Sequence, residues 1–168
     1  MNAPSSFLVR RGLLVAGALA LAGCGFELRK APIFAFKSIA VNGGSAMVNQ
    51  LRRNLQSAGT VTVVPAAESA TAEVIFDILG ETRGQRVIST NSAGQVRELE
   101  LQFTVRFRLR TPGGKELISA GEINQRRDIT YNETNALAKE GETQLLYRDM
   151  QGDIVQQILR QLAAVKSL

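Results

Sequence analysis

A single cysteine, Cys24, and the complete lack of histidine set narrow limits on what this chain can catalyse. A Ser-His-Asp or Cys-His nucleophile needs the imidazole as its base, and a zinc site needs several His or Cys ligands, so neither can be assembled here. One cysteine also rules out an intramolecular disulfide. Glu98 and Glu100 are adjacent on one polar strand face, but no residue pattern suggests a cleft around them, which argues against a paired-carboxylate hydrolase. No catalytic residue, metal or cofactor is therefore expected. The basic residues carry more promise. Arg106, Arg108 and Arg110 alternate along one segment, Arg83, Arg86 and Arg97 flank the loop at 90–94, and Lys139 stands at the entry to the last helix. Such cations suit phosphates or carboxylates, and the competing reading is that they solvate the faces that carry them and discourage edge pairing.

The cysteine has a telling context. Arg10 and Arg11 precede an apolar run of ten residues, Leu13 to Ala22, and Leu21-Ala22-Gly23-Cys24 closes it with small residues. That order is a secretory signal, and the run falls well short of the roughly 20 residues that a membrane-spanning helix needs. The tetrapeptide closely resembles the lipobox of bacterial lipoproteins, in which the cysteine thiol is lipidated, the signal is cut before it and the new amine is acylated. Residues 1–23 are thus expected to be removed, with Cys24 as the lipidated N-terminus. Two or more acyl chains give durable anchoring where one gives marginal binding. Position 25 is Gly rather than the Asp that commonly retains such lipoproteins in the inner membrane, which points to the outer membrane. The signal carries two of the 20 basic residues and none of the 15 acidic ones, so the mature chain keeps a net charge of only +3. Nucleic acid is a poor partner for an exported domain of that charge.

The elements that must position these residues are legible from periodicity. With 168 residues, 5% aromatic content and no Trp, one domain with an aliphatic core is expected. Residues 24–37, with Pro32, read as lipidated N-terminus and tether, and 38–168 as one globular domain. A short strand at 38–41 breaks at Asn42-Gly43-Gly44, and Ser45 caps a helix marked by Val48, Leu51, Leu55 and Ala58 that Gly59 ends. Residues 61–64 are β-rich and end at Pro65, so the first third reads strand, helix, strand, with 66–72 as a loop. A long strand at 73–88 has bulges or bends expected at Gly80 and Gly84. The clearest pattern is 97–110, where Leu99, Leu101, Phe103, Val105, Phe107 and Leu109 alternate with polar residues; such a strand would span about 45 Å and project beyond a compact domain. Thr111-Pro112-Gly113-Gly114 reads as a type II turn into a partner strand at 115–131. Tyr147, Met150, Ile154, Ile158, Leu162 and Val165 mark one face of a final helix. The predicted fold is α/β (α+β): a two-layer sandwich with two amphipathic helices on one face of a four-stranded, mostly antiparallel sheet.

Several separated motifs carry a family resemblance. They are Gly23-Cys24-Gly25-Phe26-Glu27-Leu28-Arg29, then Arg127-Asp128-Ile129-Thr130-Tyr131-Asn132-Glu133, Ala136-Leu137-Ala138-Lys139-Glu140 and Leu146-Tyr147-Arg148-Asp149-Met150. In this order, and with the long hairpin, the chain from Cys24 to about Leu162 resembles the LptE family of lipopolysaccharide-assembly lipoproteins. Departures at Glu27 and at Lys30-Ala31 are minor. The resemblance implies a non-enzymatic role: an outer-membrane protein anchored through Cys24, facing the periplasm within the lumen of the LptD β-barrel, assisting its assembly and binding lipopolysaccharide. A polar-surfaced domain suits a polar barrel interior. Lys139 matches the lysine of the family's Ala-Leu-Ala-Lys motif, and with Arg97, Arg106 and Arg108 it forms the set of candidate lipopolysaccharide-binding residues. The alternative is an accessory periplasmic lipoprotein subunit of another envelope lipid-transport machine.

Overall fold

The computed structural model describes residues 31–132 and 135–168; the expected signal and Cys24 lie outside them. Strand β1 (Ser38–Asn42) leads into helix α1 (Ala46–Ala58) and strand β2 (Thr62–Val64). A short 3-10 helix (Ala66–Thr71) precedes three long strands, β3 (Val74–Thr90), β4 (Val96–Arg110) and β5 (Glu116–Thr130), and helix α2 (Ala136–Ala164) follows. The sheet order is β2-β1-β3-β4-β5, with β1 parallel to both neighbours and β3, β4 and β5 antiparallel. The mixed two-layer architecture is as expected, but the sheet has five strands rather than four. The extra one is β2. The β-rich segment at 61–64 is a strand as its residues suggest, and it joins the sheet because α1 returns the chain alongside β1, where Thr62 N–H donates to Lys37 O at 2.8 Å.

Strand β4 lies in the middle of the long strands, and its alternation organises the core. Leu101, Phe103, Val105, Phe107 and Leu109 are fully buried on one face, with Leu99 half-buried at the strand's start. Arg106 and Glu98 are exposed on the other face. Against the buried face lies the α2 stripe of Tyr147, Met150, Ile154, Ile158 and Leu162, joined by Met47, Val48, Leu51 and Leu55 of α1. Phe103 meets Tyr147 edge-on at 6.5 Å, and Phe76 stacks on Phe107 at 5.3 Å. Helix α1 begins where Ser45 Oγ accepts the Val48 N–H at 3.2 Å, and ends where Gly59, at φ +67°, takes the left-handed position that favours glycine.

Local features depart from the expectations in three places. In β3 the bulge expected at Gly80 is present, with the register shifted between Ile78 and Gly80 and Leu79 as the extra residue, but Gly84 continues the ladder without one. A side chain at Gly80 would come within 3.3 Å of the Arg106 guanidinium, which explains glycine there. In the β4–β5 turn the left-handed residue is Gly114, not Gly113, so the turn is not type II. Thr111 closes it through Gly114 N–H and Lys115 O, and the β3–β4 turn repeats the pattern with Asn91, Gly94 and Gln95. Finally, residues 31–37 are more than a tether. Phe34 and Phe36 stack at 5.2 Å and enter the core, because two aromatic side chains two apart give that stretch apolar surface to bury.

The face away from the helices is mostly polar. An apolar patch on it, Ala40, Ala72 and Ile75 with Val64 packed against them, lies beside the 3-10 helix. Next to Ile75, Asp77 accepts from Arg110 Nε at 2.8 Å, Arg108 Nε at 3.0 Å and Asn42 Nδ2 at 2.8 Å. Burial raises the carboxyl's proton affinity, but the hydrogen bonds from Arg110, Asn42 and Arg108 outweigh it and hold Asp77 below the ordinary carboxylate value.

Two outcomes test this packing. Phe103→Ala is expected to lower unfolding free energy by about 3–5 kcal/mol, while Thr104→Ala, on the opposite face, stays within about 0.5 kcal/mol; denaturant titration compares them. Asp77→Asn is expected to cost on the order of 2 kcal/mol near neutral pH. Because the folded-state pKa of Asp77 is depressed, its contribution is complete above the unfolded value of about 3.9 and fades as pH falls through the folded one. Melting curves of the two proteins should converge as the pH drops below that range; a gap that persists there contradicts the assignment.

Candidate functional site

The far ends of three strands and the first turns of α2 meet around a recess of about 400 Å³ lined by Ser89, Arg97, Glu98, Thr130, Tyr131, Asn132 and Lys139. Register places these residues together. Ser89 pairs with Glu98, and Glu98 with Thr130, while Tyr131 N–H donates to Arg97 O at 2.7 Å and extends the β4–β5 contact past the end of β5. The Asn91 turn fixes the β3–β4 end: Asn91 Oδ1 accepts from the Ala93 and Gln95 N–H groups at 3.0 and 2.9 Å. Lys139 reaches the recess from the first turn of α2. Its ammonium donates to Thr130 Oγ1 at 3.2 Å and to Glu142 Oε2 at 2.8 Å.

The recess combines two cations, three hydroxyls and one carboxylate of its own, Glu98. The Arg97 side chain is exposed and has no ion pair among the described residues. The Lys139 side chain is 21% exposed, and its partner Glu142 stands half in solvent three residues along the helix. Exposed pairs of that kind contribute about 0.5 kcal/mol, so a stronger anion can displace Glu142 at little cost. No activated nucleophile faces a base here. A guanidinium, an ammonium and hydroxyl donors around one opening are chemistry for holding an oxyanion such as a phosphate.

Of the four candidate cations, Arg97 and Lys139 come together and Arg106 and Arg108 do not. Counting along β4, Arg106 is nine residues from Arg97, about 30 Å at strand rise. It lies over Gly80 on the uncovered face, and Arg108 is ion-paired with Asp77. Around the tip, Arg86 pairs with Glu100 at 3.1 Å. The Glu100 carboxylate is held below its ordinary value by hydrogen bonds from Gln102 and Arg86. Arg83 lies on the helix side of the sheet instead, 4.7 Å from the Phe103 ring centre and 5.3 Å from that of Tyr147, and donates to Gln151 Oε1 at 3.3 Å. Burial raises the Tyr147 phenol's pKa, and the hydroxyl donates to Gly84 O at 2.7 Å.

Ser89, Thr130 and Tyr131 were not among the expected site residues. Counting outward from the Pro112 turn puts 130–131 opposite 97–98, a signal available only once the hairpin register is known. Asn132 closes the same corner of the recess.

Comparison with known proteins agrees with this architecture. Residues 31–162 match the LptE family model, described as lipopolysaccharide-assembly. The chain is 29% identical over 158 residues to the LPS-assembly lipoprotein LptE of Yersinia pestis strain Pestoides F, covering 91% of this chain and 74% of that one. It is similar to the solution structure of a lipoprotein B from Nitrosomonas europaea, with 36% identity, 83% of this chain and 91% of that one covered, and a TM-score of 0.71. Rare lipoprotein B from Shewanella oneidensis, at 23% identity, shares the fold, with 76% and 95% covered and a TM-score of 0.66. The match over 31–162 begins where Phe34 and Phe36 enter the core and ends at Leu162 of the α2 stripe, so it takes in the whole packed domain and the recess. This chain belongs to the LptE family, whose work is lipopolysaccharide assembly and not catalysis.

Proposed function

We propose that this chain is an outer-membrane lipoprotein that loses residues 1–23, is lipidated at Cys24, and fills the lumen of an LptD-type β-barrel. There it helps the barrel assemble and binds lipopolysaccharide on its way to the outer leaflet. The observation that carries the ligand part is the meeting of Arg97 and Lys139, from a strand and a helix 42 positions apart, at one recess. Lipid A phosphates suit that pair, with Thr130 and Ser89 as further donors. Arg106 is exposed on the polar sheet face and Arg108 is shared with Asp77, and cations on that face suit carboxylates of a barrel wall. A polar face of this kind suits a barrel interior, and Cys24 would supply the anchor. Among the described residues no helix is long and apolar enough to cross a membrane. Family membership favours this role over that of a subunit in another lipid-transport machine.

Binding of lipopolysaccharide to the purified domain tests the site. Lys139→Glu and Arg97→Glu should each weaken it roughly tenfold, the size of one charge-assisted hydrogen bond. The loss should shrink as salt rises, because exposed charges are screened over about 10 Å at 0.1 M. Glu142→Gln, which frees the Lys139 ammonium, should strengthen binding. All three variants should still co-purify with the barrel, since a broad interface depends little on single rim charges. Unchanged lipid binding by Lys139→Glu would return that residue to the solvated surface. For the anchor, Cys24→Ser should leave a form that no longer sediments with outer membranes when the barrel is depleted; continued sedimentation would refute Cys24 as the anchor.

A further inference from the structure

Beside the recess the helix layer covers one strand and leaves another half open. Val87 of β3, Leu99 of β4 and Ile129 of β5 face one another in a single rung on the helix side of the sheet. Ile129 is 3% exposed, Leu99 is half-buried, and Val87 is 48% exposed with its neighbour Ile88 at 40%. The path of α2 explains the gradient. Lys139 stands beside Thr130 at the end of β5, whereas Tyr147, about two turns later, has crossed to β3, where its hydroxyl meets Gly84 O. Helix α1 does not fill the gap. Its capping residue Ser45 lies at Glu81, six residues short of Val87, and by β2 the chain is back at the level of Ser38. No strand covers the flank either, since β1 ends opposite Asp77 and β3 beyond it pairs with β4 alone among the described residues.

This apolar strip adjoins the cations. The next rung of the same three strands is Ser89, Glu98 and Thr130, which line the recess with Arg97 and Lys139. Strand residues are about 3.3 Å apart, so hydrocarbon surface begins within a few ångströms of the phosphate-holding groups. A ligand that carries an anion and a hydrocarbon chain a few bonds apart meets both surfaces at once. A free phosphate meets only the first, and an apolar side chain from a protein partner only the second.

We infer that Val87, Ile88 and Leu99 form an acyl-chain subsite of the recess. With a phosphate held by Arg97 and Lys139, the first methylenes of a fatty acyl chain on the same molecule lie across these side chains, in the gap that α2 leaves over β3. This rests on the reading of the recess as a phosphate site, and adds that the ligand is recognised as a phosphorylated acyl lipid and not by its phosphate alone. Charge complementarity sets the orientation, because only the recess end offers cations and only the strip offers hydrocarbon. Each methylene taken out of water strengthens binding about fourfold, so two of them laid on the strip count for as much as either cation.

Two probes separate the parts: lipopolysaccharide, and the same molecule stripped of its acyl chains by alkaline hydrolysis, which leaves the glucosamine phosphates. Binding is measured on the full lipidated chain in detergent. The parent should bind the intact form at least tenfold more tightly than the stripped one. A double variant, Val87→Thr with Ile88→Thr, keeps β-branched side chains and strand propensity while placing hydroxyls on the strip. It should lose about tenfold on the intact form and nothing on the stripped form, whereas Lys139→Glu should lose about tenfold on both. Equal binding of the two forms by the parent, or a double variant that binds the intact form as the parent does, overturns the acyl subsite; the phosphate site then still stands if Lys139→Glu weakens both. If Lys139→Glu binds both forms as the parent does, the phosphate reading fails and the subsite falls with it. A double variant that keeps lipid binding but no longer co-purifies with the barrel also overturns the subsite and gives the strip to a protein contact.

Discussion

The burial of one face of β4 is the constraint on which the rest of the fold depends. Five side chains on that face, Leu101 through Leu109 at alternate positions, are removed completely from solvent. At about 1.5–3 kcal/mol each, an upper estimate, their burial is comparable to the whole net stability of a domain. A slip of one residue would expose all five and turn Arg106 and Arg108 into the helix layer, which no partner there could offset. Helix α2 and strand β5 follow from this. Ile123 and Ile129 face Val105 and Leu99 across the ladder, and Gly121 leaves room for the Phe107 ring, 3.5 Å from where a side chain would begin.

The bulge at Leu79 is the point where β3 adapts to that fixed neighbour. Before it, Phe76 and Ile78 share the face of Phe107; after it, parity changes, and Glu81, Arg83 and Gln85 take the helix side. Those polar residues are not left bare. Glu81 accepts from Ser45, Arg83 lies over Phe103 and Tyr147, and Gln151, bonded to Arg83, also donates to Gln50 of α1. A chain that could have ended its core at the bulge instead continues it with a polar seam, and that seam ties both helices to the extended part of the sheet.

At the end of that extension the recess inherits its rigidity from the strands and its chemistry from their termini. Arg97 and Thr130 are held by ladder pairing, while Lys139 depends on where α2 begins. Its ion pair with Glu142, three residues along the helix, is of the partly exposed kind that contributes little to stability. The charged residues farther down β4 serve the sheet: Asp77 gathers Arg108 and Arg110 beside the apolar patch of Ala40 and Ile75.

Much of this was legible in the sequence because period and punctuation are local properties. The alternation from Leu99 to Leu109, the Ser45 and Gly59 caps and the α2 stripe are each set by neighbours within a few residues. The lack of histidine likewise excluded whole classes of chemistry without any coordinates. What only the tertiary structure decided depends on pairing between distant segments. Gly80 marked a bulge locally, but the pairing of β2 with β1, the choice of residues that the bulge turns to the helix side and the place of Phe34 and Phe36 in the core are decided by distant segments. The same holds for the cations: in sequence Arg83, Arg97, Arg108 and Lys139 look alike, each a long cationic side chain. Register turns Arg83 onto two aromatic rings and gives Arg108 to Asp77, and the start of α2 sets Lys139 beside Arg97. A basic residue's role is fixed by which opposite charge, ring or opening lies within a few ångströms, and that distance exists only once the strands are paired.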